Sequence, residues 1–78
     1  MYHKWYKMSE NNALSKFVKQ KRKLAHITQV ELAEKAGVGL RFVRDLEQGK
    51  TSLRMDKVND VLILFGSALG PIKIDIHE

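Results

Sequence analysis

Residues 28–50 read TQVELAEKAGVGLRFVRDLEQGK, and this stretch decides the fold. Thr28 followed by Glu31 is a capping box: the hydroxyl accepts from a backbone N–H of the first helical turn, and the carboxylate returns a bond to the N–H of the cap residue. A helix therefore has a defined start here. Leu32, Ala33 and Ala36 recur on one face of that helix, after which Gly37-Val38-Gly39 offers a backbone without β-carbon strain for a sharp turn. Val38, apolar between the two glycines, is placed to plug the corner. A second helix is predicted over residues 40–48, with Val43 and Leu46 facing inward and Arg41, Arg44 and Asp45 on another face. Gly49 stops it. The pattern is two short helices hinged at a glycine turn.

At 78 residues the chain holds one domain. A domain of this size buries only about 60% of its unfolded surface, so association would add to a marginal stability. The sequence has no cysteine, hence no disulfide framework and no thiolate zinc site, which is compatible with a reducing compartment. No apolar run approaches the roughly 20 residues that cross a bilayer, and the opening MYHKWYKMSE lacks the apolar core of a signal peptide. A soluble, cytoplasmic protein without a membrane partner is expected. Fourteen Lys plus Arg against nine Asp plus Glu give a net charge of +5 and a pI near 9.7, which favours an anionic partner. His3, His26 and His77 lie far apart and belong to no ligand or nucleophile motif, and Gly37 and Gly39 serve a helix turn, not a phosphate loop. The expectation is a protein with no metal, no cofactor and no enzymatic activity.

Working outward, Ala13, Leu14, Phe17, Val18, Leu24 and Ala25 mark the inner stripe of a first helix over residues 12–25, with Lys16, Lys19, Lys21 and Lys23 largely on the other side. Asn11-Asn12 forms its cap region, and His26-Ile27 links it to Thr28. Beyond a polar loop at residues 50–53, Met55, Val58, Val61, Leu62 and Phe65 return at helical spacing until Gly66, a fourth helix that closes the core. A further turn at residues 67–69 is too brief to assign. The tail then changes period: in residues 71–77, Ile72, Ile74 and Ile76 alternate with polar residues, the signature of a half-buried strand. A lone strand leaves its backbone groups unpaired. Pairing with the same strand of a second copy is the simplest solution and predicts a homodimer; the alternatives are folding back on its own helices or staying disordered. The aromatic N-terminal segment is the other candidate neighbour in the chain; its Tyr2, Trp5 and Tyr6 could cover the strand, touch a partner or hang free. The chain thus divides into an extension at residues 1–11, a helical domain at 12–69 and a dimerisation strand at 70–78.

The block KQKRKLAHITQVELAEKAGVGLRFVRDLEQGKTS resembles the phage-repressor-type helix-turn-helix, the fold of the lambda repressor and Cro and of the XRE group of bacterial regulators. The Thr-Gln opening of the second helix, the Glu-Leu-Ala triplet, the Ala-Gly turn and the Leu-Glu-Gln-Gly close of the third carry the likeness. Within that group, Val38-Gly39-Leu40-Arg41-Phe42-Val43 and Leu53-Arg54-Met55-Asp56-Lys57-Val58 resemble HipB-type antitoxins, short regulators encoded beside a HipA-type kinase toxin. The resemblance implies an all-α, four- to five-helix domain whose C-terminal β-strand pairs across a homodimer. It implies a repressor of double-stranded DNA on a near-palindromic operator, one that also grips a HipA-type kinase. A stand-alone regulator, or an interaction module without specific DNA binding, are the alternatives. The first seven residues match nothing in the family, and Met8 is an alternative start.

In such a fold the third helix enters the major groove. Arg41 and Arg44 are then the expected base readers, since a guanidinium bonds guanine O6 and N7 together. Asp45 would either orient Arg41 through an i to i+4 pair or accept from a cytosine amine, and Leu40 can give only apolar contact, for instance to a thymine methyl. Phe42 is read as packing. The bland reading of this face is a solvated helix surface with internal salt bridges. Gln29 resembles the family glutamine that contacts a phosphate and braces the third helix; Thr28 is first a cap and second a phosphate donor. Lys50 and the lysines Lys19, Lys21 and Lys23 are candidates for backbone contact. Arg22 and Glu47 resemble a structural charge pair tying the first helix to the end of the third.

Overall fold

The computed structural model describes residues 12–71. Four helices, α1 (Ala13–Leu24), α2 (Gln29–Ala36), α3 (Leu40–Glu47) and α4 (Met55–Leu62), are followed by a 3₁₀ turn at Ile63–Phe65. No strand occurs among the described residues. The expected dimerisation strand with Ile72, Ile74 and Ile76, and the N-terminal extension, lie outside them.

Most of these helix ends have a local chemical cause. Asn12 caps α1 by accepting from the Ser15 N–H at 2.7 Å, and its amide donates to the Gly49 carbonyl at 3.2 Å, tying the start of α1 to the end of α3. The Thr28–Glu31 capping box is closed both ways, at 3.1 Å from the Glu31 N–H to the Thr28 hydroxyl and 2.7 Å from the Thr28 N–H to the Glu31 carboxylate. At the far end of α2, Gly37 takes φ 73° and the Val38 N–H reaches back to the Ala33 carbonyl at 3.0 Å, a Schellman closure. Gly49 closes α3 in the same way at φ 87°, with the Lys50 N–H on the Asp45 carbonyl at 3.0 Å. Gly39 differs. With φ −75° and ψ 153° it is ordinary extended backbone, so the turn demands glycine at 37 and not at 39.

The core is assembled from Val18 of α1, Leu32 and Ala33 of α2, Val43 and Leu46 of α3, and Val58, Val61 and Leu62 of α4. Leu14, Phe17, Ile27, Val38, Leu53 and Phe65 pack around it. α3 lies against both α1 and α2, and α2 also meets α4. Burying each large aliphatic side chain contributes about 1.5–3 kcal/mol, which is what holds such short helices in register.

The predicted apolar stripes are trimmed at their ends. Leu24 is 65% exposed and Ala13 and Ala25 are also exposed, because Leu24 stands about 120° around the axis from Val18. Ser15 takes an inner position instead, its hydroxyl donating to the Asn12 carbonyl at 3.0 Å so that no polar atom is stranded. Met55, expected inside, is 70% exposed at the first position of α4. That helix also ends at Leu62, tightening into the 3₁₀ turn before Gly66 at φ 69°, and residues 67–69 form no further helix.

Candidate nucleic-acid interface

The sequence of α3 divides its surface cleanly. Val43, Leu46 and Glu47 are buried, while Arg41 and Arg44, about 60° apart around the axis, are exposed. Arg41 is the most open, with 88% of its side chain accessible, and stands 3.6 Å from the Asp45 carboxylate one turn on. Lys50 approaches the same carboxylate, also at 3.6 Å. Asp45 is thus shared by two cations, the second delivered by the Schellman turn after Gly49. Leu40, expected to offer apolar contact to a base, is half-buried and packs on the core, as does Phe42.

Beneath this face lies a polar knot. The Glu47 side chain is only 3% exposed. It accepts from Arg22 Nε at 2.7 Å and Nη2 at 3.1 Å, and from Gln29 Nε2 at 3.1 Å. Arg22 Nη1 donates to the Ile27 carbonyl at 3.0 Å, which fixes the link between α1 and α2. The hydrogen bond from Arg22 to Glu47 raises the guanidinium pKa above its ordinary value, outweighing the burial that would lower it. Three helices are therefore bound to one carboxylate, and the outward face of α3 is held in a fixed orientation. The bidentate geometry is the kind that gives an ion pair directional strength.

The other expected contact residues are distributed around this centre. Thr28 is exposed at the start of α2, and Gln29 is half-buried with its amide committed to Glu47. The lysines of α1 do not form one row. Lys19 and Lys23 share a face with Lys16, whereas Lys21 projects about 160° away from Lys19 and lays its ammonium over the Phe17 ring, 5.6 Å from the centroid. The helical period alone could have separated them. The sequence reading also missed the Arg54–Asp56 pair, where the guanidinium donates at 2.7 and 3.1 Å; that hydrogen bond, ahead of any other cause, holds the exposed Asp56 carboxyl below its ordinary value. No helix among the described residues is long and apolar enough to cross a membrane.

An outward pair of arginines on the second helix of a tight helical corner, fixed from below, defines a helix-turn-helix surface. The chain belongs to the helix-turn-helix family, whose model matches residues 18–71. Among curated proteins it is similar to an uncharacterized HTH-type transcriptional regulator, y4mF, of Sinorhizobium fredii (strain NBRC 101917 / NGR234), with 48% identity over 48 residues. The match covers 62% of this chain and 63% of that relative. No solved structure matches the chain.

Proposed function

We propose that this chain is a sequence-specific repressor of transcription that binds double-stranded DNA as a homodimer. The observation that carries the reading is the α3 surface: Arg41 and Arg44 face outward on a helix whose position is set by the buried Arg22–Glu47–Gln29 knot. Base reading needs such rigidity, because a bidentate guanidinium contact discriminates by about 1–3 kcal/mol only when the donor is correctly placed. Arg41 and Arg44 read base edges, with Asp45 orienting Arg41. Thr28 and Lys50, which flank the α2–α3 corner, are the candidates for phosphate contact, which supplies affinity and its salt dependence. The name of the relative, a transcriptional regulator, supports the same class of activity.

Two copies, joined through the strand of Ile72, Ile74 and Ile76, would place their α3 helices in successive major grooves, roughly 34 to 36 Å apart on a near-palindromic operator. The resemblance at residues 38–43 and 53–58 extends the proposal to a HipB-type antitoxin, which autoregulates its operon and binds a HipA-type kinase toxin. The protein acts without catalysis of its own and without a cofactor.

A gel-shift titration on the DNA upstream of the gene tests this reading, using the wild type and an Arg41→Ala, Arg44→Ala double variant at two salt concentrations. Tight wild-type binding that the variant loses, above a salt-sensitive background, is the expected result. Equal, weak binding by both proteins would reduce the basic surface to non-specific attraction. A kinase gene of HipA type directly adjacent would support the antitoxin assignment, and its absence would leave a general repressor.

A further inference from the structure

The net charge of the chain resides in one helix. α1 carries Lys16, Lys19, Lys21, Arg22 and Lys23 and no acidic residue, and the remaining nine Lys and Arg equal the nine Asp and Glu. Arg22 is neutralised by Glu47 and Lys21 rests on Phe17. Lys16, Lys19 and Lys23 are all exposed on the outer face, and none has an acidic partner among the described residues. Like charges at i, i+3 and i, i+4 weaken a helix by mutual repulsion. Lys23 gains from the helix C-terminus, but Lys16 and Lys19 lie outside that last turn and have only the repulsion. α2 and α4 by contrast carry both signs, with Glu31, Glu34 and Lys35 on one and Asp56, Lys57 and Asp60 on the other.

Together with Gln20 and Leu24, these three lysines line a shallow groove of about 480 Å³ along α1. Leu24, 65% exposed, supplies its apolar end, and the aliphatic stems of the lysines extend the apolar floor. A phosphate backbone has no use for an exposed leucine. A helix with carboxylates flanking an apolar stripe matches both features: its acids meet Lys16, Lys19 and Lys23, and its apolar residues cover Leu24.

We infer that the outer face of α1 is a docking surface for an acidic amphipathic helix of a partner protein, separate from the arginine face of α3. The surface leaves Arg41 and Arg44 untouched, so a partner seated on α1 leaves the proposed base readers accessible. This inference stands whether or not the proposed DNA reading does.

Fluorescence anisotropy on the full chain tests it with three labelled probes: an 18-residue helical peptide with glutamates beside a leucine stripe, a scrambled peptide of the same composition, and a random 20-base-pair duplex. The patterned peptide is expected to bind at least tenfold more tightly than the scrambled one. Lys19→Glu with Lys23→Glu removes that preference. Leu24→Ser, which changes no charge, weakens the patterned peptide several-fold and leaves the duplex unaffected. Thermal melts confirm that these surface variants fold. Equal affinity for the two peptides, or indifference of the patterned peptide to Leu24→Ser, overturns the proposal. So does a charge reversal that costs the duplex more than the peptide, which would return this face to DNA.

Discussion

Glu47 has almost none of its side chain in water, and three donors converge on its carboxylate. Removing one member of a buried pair leaves the other charge uncompensated. Glu47→Ala is accordingly expected to cost about 3–5 kcal/mol, a large share of what a domain of this size has to lose, and to lower the melting temperature steeply in circular dichroism. Replacing both partners by apolar residues, Arg22→Met with Glu47→Leu, should recover most of that loss, since the desolvation penalty goes with the charges. His26 presents the reverse situation. It closes the end of α1 at φ 59°, a left-handed conformation that in this chain glycine occupies at the ends of α2 and α3, and its neighbour Ile27 returns a bond to the Arg22 carbonyl at 3.3 Å. His26→Gly should relieve strain of about 1 kcal/mol and raise the urea midpoint without altering the slope of the transition. A midpoint that falls would mean the entropy given back to the unfolded chain outweighs the strain removed.

At the scale of the element, the two glycines of the turn are predicted to behave unequally. A β-carbon at Gly37 or Gly39 would meet nothing within 4 Å, so space decides neither case. Backbone angle does. Gly37→Ala at φ 73° should cost about 1–2 kcal/mol in thermal unfolding, whereas Gly39→Ser should be neutral or slightly stabilising, because position 39 is an unused N-cap whose hydroxyl could accept from α3. The contrast shows what sequence could and could not reveal. The start and stop of α2 and the stop of α3 were legible because they are decided within five residues, by Thr28, Glu31, Gly37 and Gly49. The inner face of α3 was legible for the same reason. The split between Lys21 and its neighbours was there in the helical period, but the choice of Lys21 for the Phe17 ring was not. The second cation on Asp45 arrives through the Schellman turn, and the amide of Gln29 reaches Glu47 across 18 positions. Such contacts depend on how helices cross, and no local pattern encodes a crossing.

The whole molecule has a small core, and this bears on assembly. Eight buried apolar residues drawn from four short helices hold the described domain together, and burial of this extent leaves little margin above the entropy of ordering the chain. If two copies join through Ile72, Ile74 and Ile76, folding and association become one equilibrium and the melting temperature must rise with protein concentration. Sedimentation should then give twice the 9.0 kDa of a single chain. Ile74→Asp should halve that mass, abolish the concentration dependence and leave the helical signal of the domain in place. Operator binding supplies the functional counterpart of the same test. A dimer loses the gain of a second, linked half-site when it separates, so the variant should bind its operator many-fold more weakly while its affinity for a single half-site is preserved. A variant that keeps the dimer mass would move the interface away from the isoleucine tail, and one that keeps operator affinity as a monomer would remove the need for a twofold site at all.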